Sequence, residues 1–126
     1  MTPEQLVTEF LHALETRDLG RAESLLASGA ILTFPGSQAQ FTTLAAMASW
    51  ASTRYRSVRK TIAGFDRVDS GSAVVLYCRG VLAGEWLNGT TFRDIRFIDR
   101  FEIVDGRIVR QDVWNDLAEL RPRTDA

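Results

Sequence analysis

The sequence predicts an α+β domain, with helices laid over one face of a curved antiparallel sheet. Three observations carry this reading. Apolar residues recur at helical spacing through roughly the first 50 residues and then switch to a period of two. Asn88-Gly89 and Asp105-Gly106 stand between long alternating runs, and both dipeptides are hairpin signals. The chain has 126 residues, 45% hydrophobic and 25% charged. That suits one globular domain, 1–126, able to bury a core without a disulfide or a metal.

The elements follow in order. Thr2-Pro3-Glu4-Gln5 joins an N-cap, a Pro at the first helical position and a Gln that closes a capping box. Leu6, Val7, Phe10, Leu11 and Leu14 then recur at helical spacing, opposite a polar face that holds His12. Asp18 caps a second helix with Leu19, Ala22, Leu25 and Leu26 on its stripe, ended by Gly29. Ala30 to Phe34 reads as a short strand stopped by Pro35-Gly36, and Ser37 to Thr42 as a polar loop. A third helix spans about Thr43 to Arg54, with Leu44, Met47, Trp50 and Ala51 on one face. Val58 to Val68, Ala73 to Ala83, Thr91 to Val104 and Arg107 to Asn115 read as four strands of an antiparallel meander. Arg121 onward reads as a polar tail.

Composition excludes several functions. Fifteen Lys and Arg against 16 Asp and Glu leave a net charge of −1, so no basic field draws nucleic acid or an anionic membrane. No apolar run approaches a membrane span. The N-terminus MTPEQLVTEF lacks the positive charge of a signal peptide, so a cytoplasmic location is expected. Cys78 is the one cysteine and reads as a small buried hydrophobe. His12 is the one histidine and reads as solvated. One Cys and one His form no ligand pattern, and no Gly-x-Gly-x-x-Gly or phosphate loop is present, so neither metal nor cofactor is expected. Arg54, Arg56, Arg59 and Lys60 form a local basic cluster that reads as a solvated strand face.

The strand Thr91 to Val104 is the most informative segment. Positions 95, 97, 99, 101 and 103 are Ile, Phe, Asp, Phe and Ile, and the alternate positions are mostly charged. Asp99 is thus the one polar residue on an apolar face. A carboxylate there must be paired, hydrogen-bonded or protonated, and desolvation raises its pKa. It reads either as an acid–base group in a cavity or as a core Asp tied to an Arg or to backbone amides.

Phe10 to Asp18 leading into Leu25-Leu26, the strand into Phe34-Pro35-Gly36, and Asp99-Arg100-Phe101-Glu102-Ile103 before Asp105-Gly106-Arg107-Ile108 resemble the NTF2-like superfamily, in its SnoaL-like and ketosteroid-isomerase-like branch. The resemblance covers about Glu4 to Leu117. It implies a cone, a bent sheet wrapped around the three helices as in the cystatin-like α+β folds, with a pocket at the open end. It also implies a homodimer through the outer sheet face, where Ile98 and Trp114 would lie. Asp99 falls where steroid isomerases place a neutral carboxylic acid, which the handling of acids in apolar sites explains in general. Their catalytic carboxylate and oxyanion-hole tyrosine correspond here to Phe34 and Phe10, so steroid isomerisation by that route is not expected. Limonene epoxide hydrolases resemble the chain as loosely. Their Asp–Arg–Asp set would need Arg79 and Asp112, because residue 97 is Phe.

In the family's register Tyr77 and Arg79 point into the cone as partners of Asp99, and Gln111, Val113 and Asn115 face the pocket. Alternation alone leaves open the reverse, with Leu76, Cys78 and Leu82 inside. Phe10, Leu14, Phe34, Trp50, Tyr55, Phe97 and Phe101 complete the expected wall. The expected function is acid–base isomerisation, cyclisation or hydrolysis of a small, apolar, in some cases cyclic molecule by Asp99. The alternatives are a non-catalytic binding protein and a dimeric interaction module.

Overall fold

The computed structural model describes residues 1–117; the polar tail lies outside them. Helix α1 spans Pro3–Glu15 and opens on the expected capping box, with the Thr2 and Gln5 side chains each bonded to the other's backbone N–H. It buries Leu6, Val7, Phe10, Leu11 and Ala13. Helix α2, Leu19–Ser24, is capped by Asp18 but is shorter than expected. Strand β1, Leu26–Phe34, takes over four residues earlier than Ala30. Leu25 and Leu26 continue a helical spacing, yet the chain there pairs with the last strand, Leu26 opposite Ile108, and that long-range ladder wins.

The Pro35-Gly36 stop opens a 3-10 turn, Pro35–Ser37, and the segment read as a polar loop holds a short strand β2, Ala39–Phe41, paired to β1. Helix α3 is Leu44–Ala51, capped by Thr43. Four long strands follow: β3 Tyr55–Ser70, β4 Ala73–Trp86, β5 Thr91–Val104 and β6 Arg107–Asn115. They form the expected antiparallel meander. The sheet order is β2-β1-β6-β5-β4-β3, and β1 runs parallel to β6, so the sheet is mixed rather than wholly antiparallel. Asp105 and Gly106 both take positive φ, as a type I′ turn needs. In Asn88-Gly89 only Gly89 does, and the loop closes instead through Trp86 and Thr90.

Register irregularities bend the long strands. They fall between Tyr55 and Ser57 and between Ile62 and Gly64 in β3, between Leu82 and Gly84 in β4, and between Glu102 and Ile103 in β5. A Cβ at Gly80 would lie 2.0 Å from the Thr61 carbonyl oxygen, and one at Gly84 2.0 Å from that of Ser57, so only glycine admits this close approach. The curved, unclosed sheet holds the helices in its concavity. Phe10 of α1 meets Phe101 of β5 edge to face, with ring centroids 6.2 Å apart.

Candidate functional site

Asp99 stands where alternation puts it, on the concave face of β5 between Phe97 and Phe101, and is fully buried. Its partner is neither Arg79 nor Tyr77. Lys60 Nζ donates to Asp99 Oδ2 at 2.5 Å, and the lysine side chain is only 13% exposed. Lys60 reaches inward because Val58, Lys60 and Ile62 share the concave face of β3, while Arg59 and Thr61 alternate outward. The reading of Lys60 as part of a solvated face is therefore corrected. The ammonium also lies 5.0 Å from the centroid of Phe97.

Asp99 Oδ1 receives no hydrogen bond among the described residues. Burial pushes the Asp99 carboxyl above its ordinary value; the Lys60 ammonium pulls it back, and the Gln111 amide adds a weaker pull without reaching bonding geometry at Oδ1. Burial likewise raises the Tyr55 phenol, against the pull of Lys60 and Arg54. The Cys78 thiol, directly opposite Asp99 on β4, is pushed up to about 12, first by burial and then by Asp99.

Above the pair opens a cavity of about 490 Å³ between α1, α3 and the concave sheet. Leu11, Leu14, Phe34, Met47 and Val113 supply apolar wall; Lys60, Gln111, Tyr55 and Glu15 bring polar atoms. Glu15 Oε1 is engaged by the Lys60 backbone N–H at 2.6 Å, which ties α1 to β3 beside the ammonium. A second cavity of about 420 Å³ adjoins it, sharing Phe34, Tyr55 and Val113, and adds Trp50, Phe97 and Asn115. Phe34, Phe41 and Trp50 cluster there, with the Arg54 guanidinium 4.7 Å above the Trp50 ring.

Most expected wall residues thus lie at one cavity or the other. Five expected site residues line neither. Phe10 and Phe101 are spent on the core, packed against each other. Asp99 is screened from the cavity and reaches it through Lys60. Tyr77 and Arg79 stand on the convex face, a correction forced by register. Cys78 opposes Asp99, and opposed residues of an antiparallel pair share a face, so their neighbours point away. Arg79 pairs with Asp66 at 3.5 Å, and Tyr77 helps Glu102 hold the Arg100 guanidinium above its ordinary value. Asp112 is also on that outer side, bonded to Thr33 and Arg110, so it is no second carboxylate for Asp99. Ile98 and Trp114, cross-strand partners, are exposed there.

Lys60 was legible by one signal: of the 15 Lys and Arg residues, it alone is lysine. Its place between Val58 and Ile62 marks the same anomaly as Asp99, a charge on an apolar face. Among the described residues no group of His, Cys, Asp and Glu is arranged to hold a metal ion, and no helix is long and apolar enough to cross a membrane.

A family model described as a SnoaL-like domain matches residues 7–111. No curated protein matches the chain in sequence. Among solved structures, an NTF2-like protein of unknown function from Burkholderia pseudomallei K96243 superposes with a TM-score of 0.76 at 23% identity, over 93% of this chain and 92% of that one. TerC, crystallised with polyporic acid, gives 0.72 at 17% identity over 92% of both chains. IdmH from Streptomyces antibioticus, provisionally assigned as a polyketide cyclase, gives 0.69 at 22% identity over 95% of this chain and 99% of its own. At such identities these likenesses bear on the fold, whereas the family model spans most of the sequence. The chain belongs to the SnoaL-like family, built on the NTF2-like fold.

Proposed function

We propose that the larger cavity takes a small, mostly apolar molecule and that Asp99, acting through Lys60, performs acid–base chemistry on it: isomerisation, cyclisation or hydrolysis. One observation carries the reading, the carboxylate–ammonium pair beneath a cavity with an apolar wall of Leu11, Leu14, Phe34, Met47 and Val113. A buried ion pair is a poor way to stabilise a fold, since apolar residues of the same volume do as well or better. Such a pair at a cavity is a reason to look for proton transfer. Lys60 can give a proton to a substrate oxygen and, as the free amine, take one back from a substrate carbon, while the Asp99 carboxylate, which has no other route to the ligand, stabilises the ammonium. The polyketide-cyclase assignment of IdmH and the polyporic acid bound by TerC support a substrate with ring carbonyl or enol oxygens. Steroid isomerisation stays outside the reading, because neither Phe10 nor Phe34 carries a proton.

The test is a turnover screen of enolisable cyclic ketones and small epoxides. Asp99→Asn should lower turnover about 10²–10⁴-fold while the variant stays folded. Undiminished turnover would overturn the reading.

A second reading, non-catalytic binding in the same cavity, is favoured by the screening of Asp99 behind Lys60. Equal ligand affinity in wild type and Asp99→Asn, with no turnover in either, selects it.

We also propose that the outer sheet face pairs with a second copy. Ile98 and Trp114 are 48% and 43% exposed and stand directly opposite each other, an apolar patch of the kind that marks contact surfaces. Light scattering should give twice the 14.1 kDa chain mass, falling to one chain in Trp114→Ser. A wild-type monomer sinks this.

A further inference from the structure

We propose that Lys60 captures an aldehyde or ketone ligand as an imine, so that the lysine is a nucleophile and not only the relay through which Asp99 acts. This deepens the acid–base reading of the same cavity and rests on it.

The choice of residue is the first observation. A guanidinium pairs with a carboxylate at least as well as an ammonium and stays charged. The sequence uses arginine for every other basic side chain, yet lysine where the cation meets a buried acid at a cavity. Charge pairing alone does not explain that exception. Only the amine can lose a proton and attack a carbonyl carbon.

The surroundings supply the remaining parts. Asp99 Oδ2 lies 2.5 Å from Nζ, within reach to take the ammonium proton. The lysine side chain is largely dehydrated, with Nζ over the Phe97 ring and next to the cavity. Gln111 is 2% exposed and lines the same cavity, yet its Oε1 accepts no hydrogen bond among the described residues. That buried acceptor stands beside the pair without a donor, so the polar lining next to Lys60 is not fully saturated.

The step balances without an outside reagent. The ammonium gives one proton to Asp99, and the freed Nζ lone pair forms a C–N bond to the carbonyl carbon. The carbonyl oxygen is protonated, first to the carbinolamine hydroxyl and then to departing water, as the second nitrogen-bound hydrogen is lost. One C=O and one amine become one C=N and one water. Hydrolysis by the reverse path frees the lysine.

The full chain is incubated with cyclohexanone or 2-naphthaldehyde, each with and without sodium cyanoborohydride, and mapped by peptide mass spectrometry. A lone lysine makes the assignment unambiguous, since the N-terminal amine is the only other primary amine. The expected result is an adduct on Lys60 formed about tenfold faster than on the N-terminus, slowed about tenfold in Asp99→Asn and absent in Lys60→Arg. Should Asp99→Asn not fold, judged by circular dichroism, the contrast between Lys60 and the N-terminus in wild type decides alone. Labelling confined to the N-terminus overturns the imine. If cyclohexanone then still raises the Tm and wild-type turnover still falls in Asp99→Asn and in Lys60→Arg, the acid–base reading survives. Neither label nor Tm shift removes both.

Discussion

Asp99 and Asp112 sit on adjacent strands of one sheet, both nearly removed from water, and their environments differ in kind. Asp112, 6% exposed on the outer side, accepts from the Thr33 hydroxyl at 2.6 Å and from Arg110 at 3.0 Å, with Arg100 at 3.6 Å. Its charge is met by two donors and a nearby guanidinium at the edge of solvent. Asp99, on the inner side, has one ammonium and one oxygen with no donor. Burial alone therefore does not set a carboxylate's environment: Asp112 is bonded at the edge of solvent, whereas Asp99, behind Lys60, keeps one oxygen without a donor among the described residues.

The largest test of that contrast is Lys60→Met. It strips Asp99 of its one cation and should cost about 3–5 kcal/mol near neutral pH. The pH dependence has a definite sign. Burial raises the Asp99 carboxyl on folding, so the folded state holds its proton more tightly than the unfolded state. Stability then falls as pH climbs from the ordinary carboxylate range, about 4, through the raised folded value. Without Lys60 that value climbs further, and the fall is deeper. Urea unfolding at pH 7 and near pH 4.5 should show most of the lost stability returning in acid. A loss independent of pH would mean that the methylene stem, and not the charge, was what mattered.

The two aspartates should then separate under matched substitutions. Asp112→Asn weakens charge-assisted hydrogen bonds and should cost about 1–2 kcal/mol, with ligand affinity of the cavity unchanged. Asp99→Asn should cost less than Lys60→Met, within about 1 kcal/mol of wild type at pH 7, because the ammonium it leaves unpaired borders the cavity and can be hydrated there, whereas an unpaired Asp99 carboxylate cannot. It should also flatten the acid-to-neutral slope of stability. Denaturant melts of both variants beside a binding assay make the comparison. If Asp99→Asn is the costlier of the two, Asp99 is an anchor of the core.

What was legible divides along similar lines. The capping box, the Asp-Gly turn and the period-two run around Asp99 are local signals, and each has its counterpart in the structure. The start of β1 and its parallel pairing with β6 depend on a partner some eighty residues away, which no local window contains. On β4 the stretch Val74-Val75-Leu76-Tyr77-Cys78 is apolar on both faces, so alternation could not choose between them. The register opposite Asp99 made the choice, and it put Tyr77 and Arg79 outside. Lys60 carried a local signal, the one lysine, placed between Val58 and Ile62, but its arginine neighbours made the segment read as a solvated face. The irregularity between Ile62 and Gly64 reverses which face the later residues of β3 present, so no single alternation runs through the strand.

Cys78 gives the smallest effect and the sharpest view of the inner face. It faces the concavity beside Asp99, and its thiol, pushed up to about 12, is almost wholly protonated at pH 8. The thiolate is the reactive form, so only about one molecule in 10⁴ could be attacked even if reagent reached it. Iodoacetamide should therefore modify Cys78 only as fast as the fold opens, at a rate matching global unfolding. Asp99→Asn should leave that rate within a few fold of wild type, and Asp112→Asn should raise it about 5–30-fold, in step with its lost stability. Lys60→Met should speed it in proportion to its lost stability, and less so toward pH 5. Labelling that outpaces unfolding in the wild type would show the inner face opening on its own, and the contrast between a sealed Asp99 and a solvent-edge Asp112 would no longer hold.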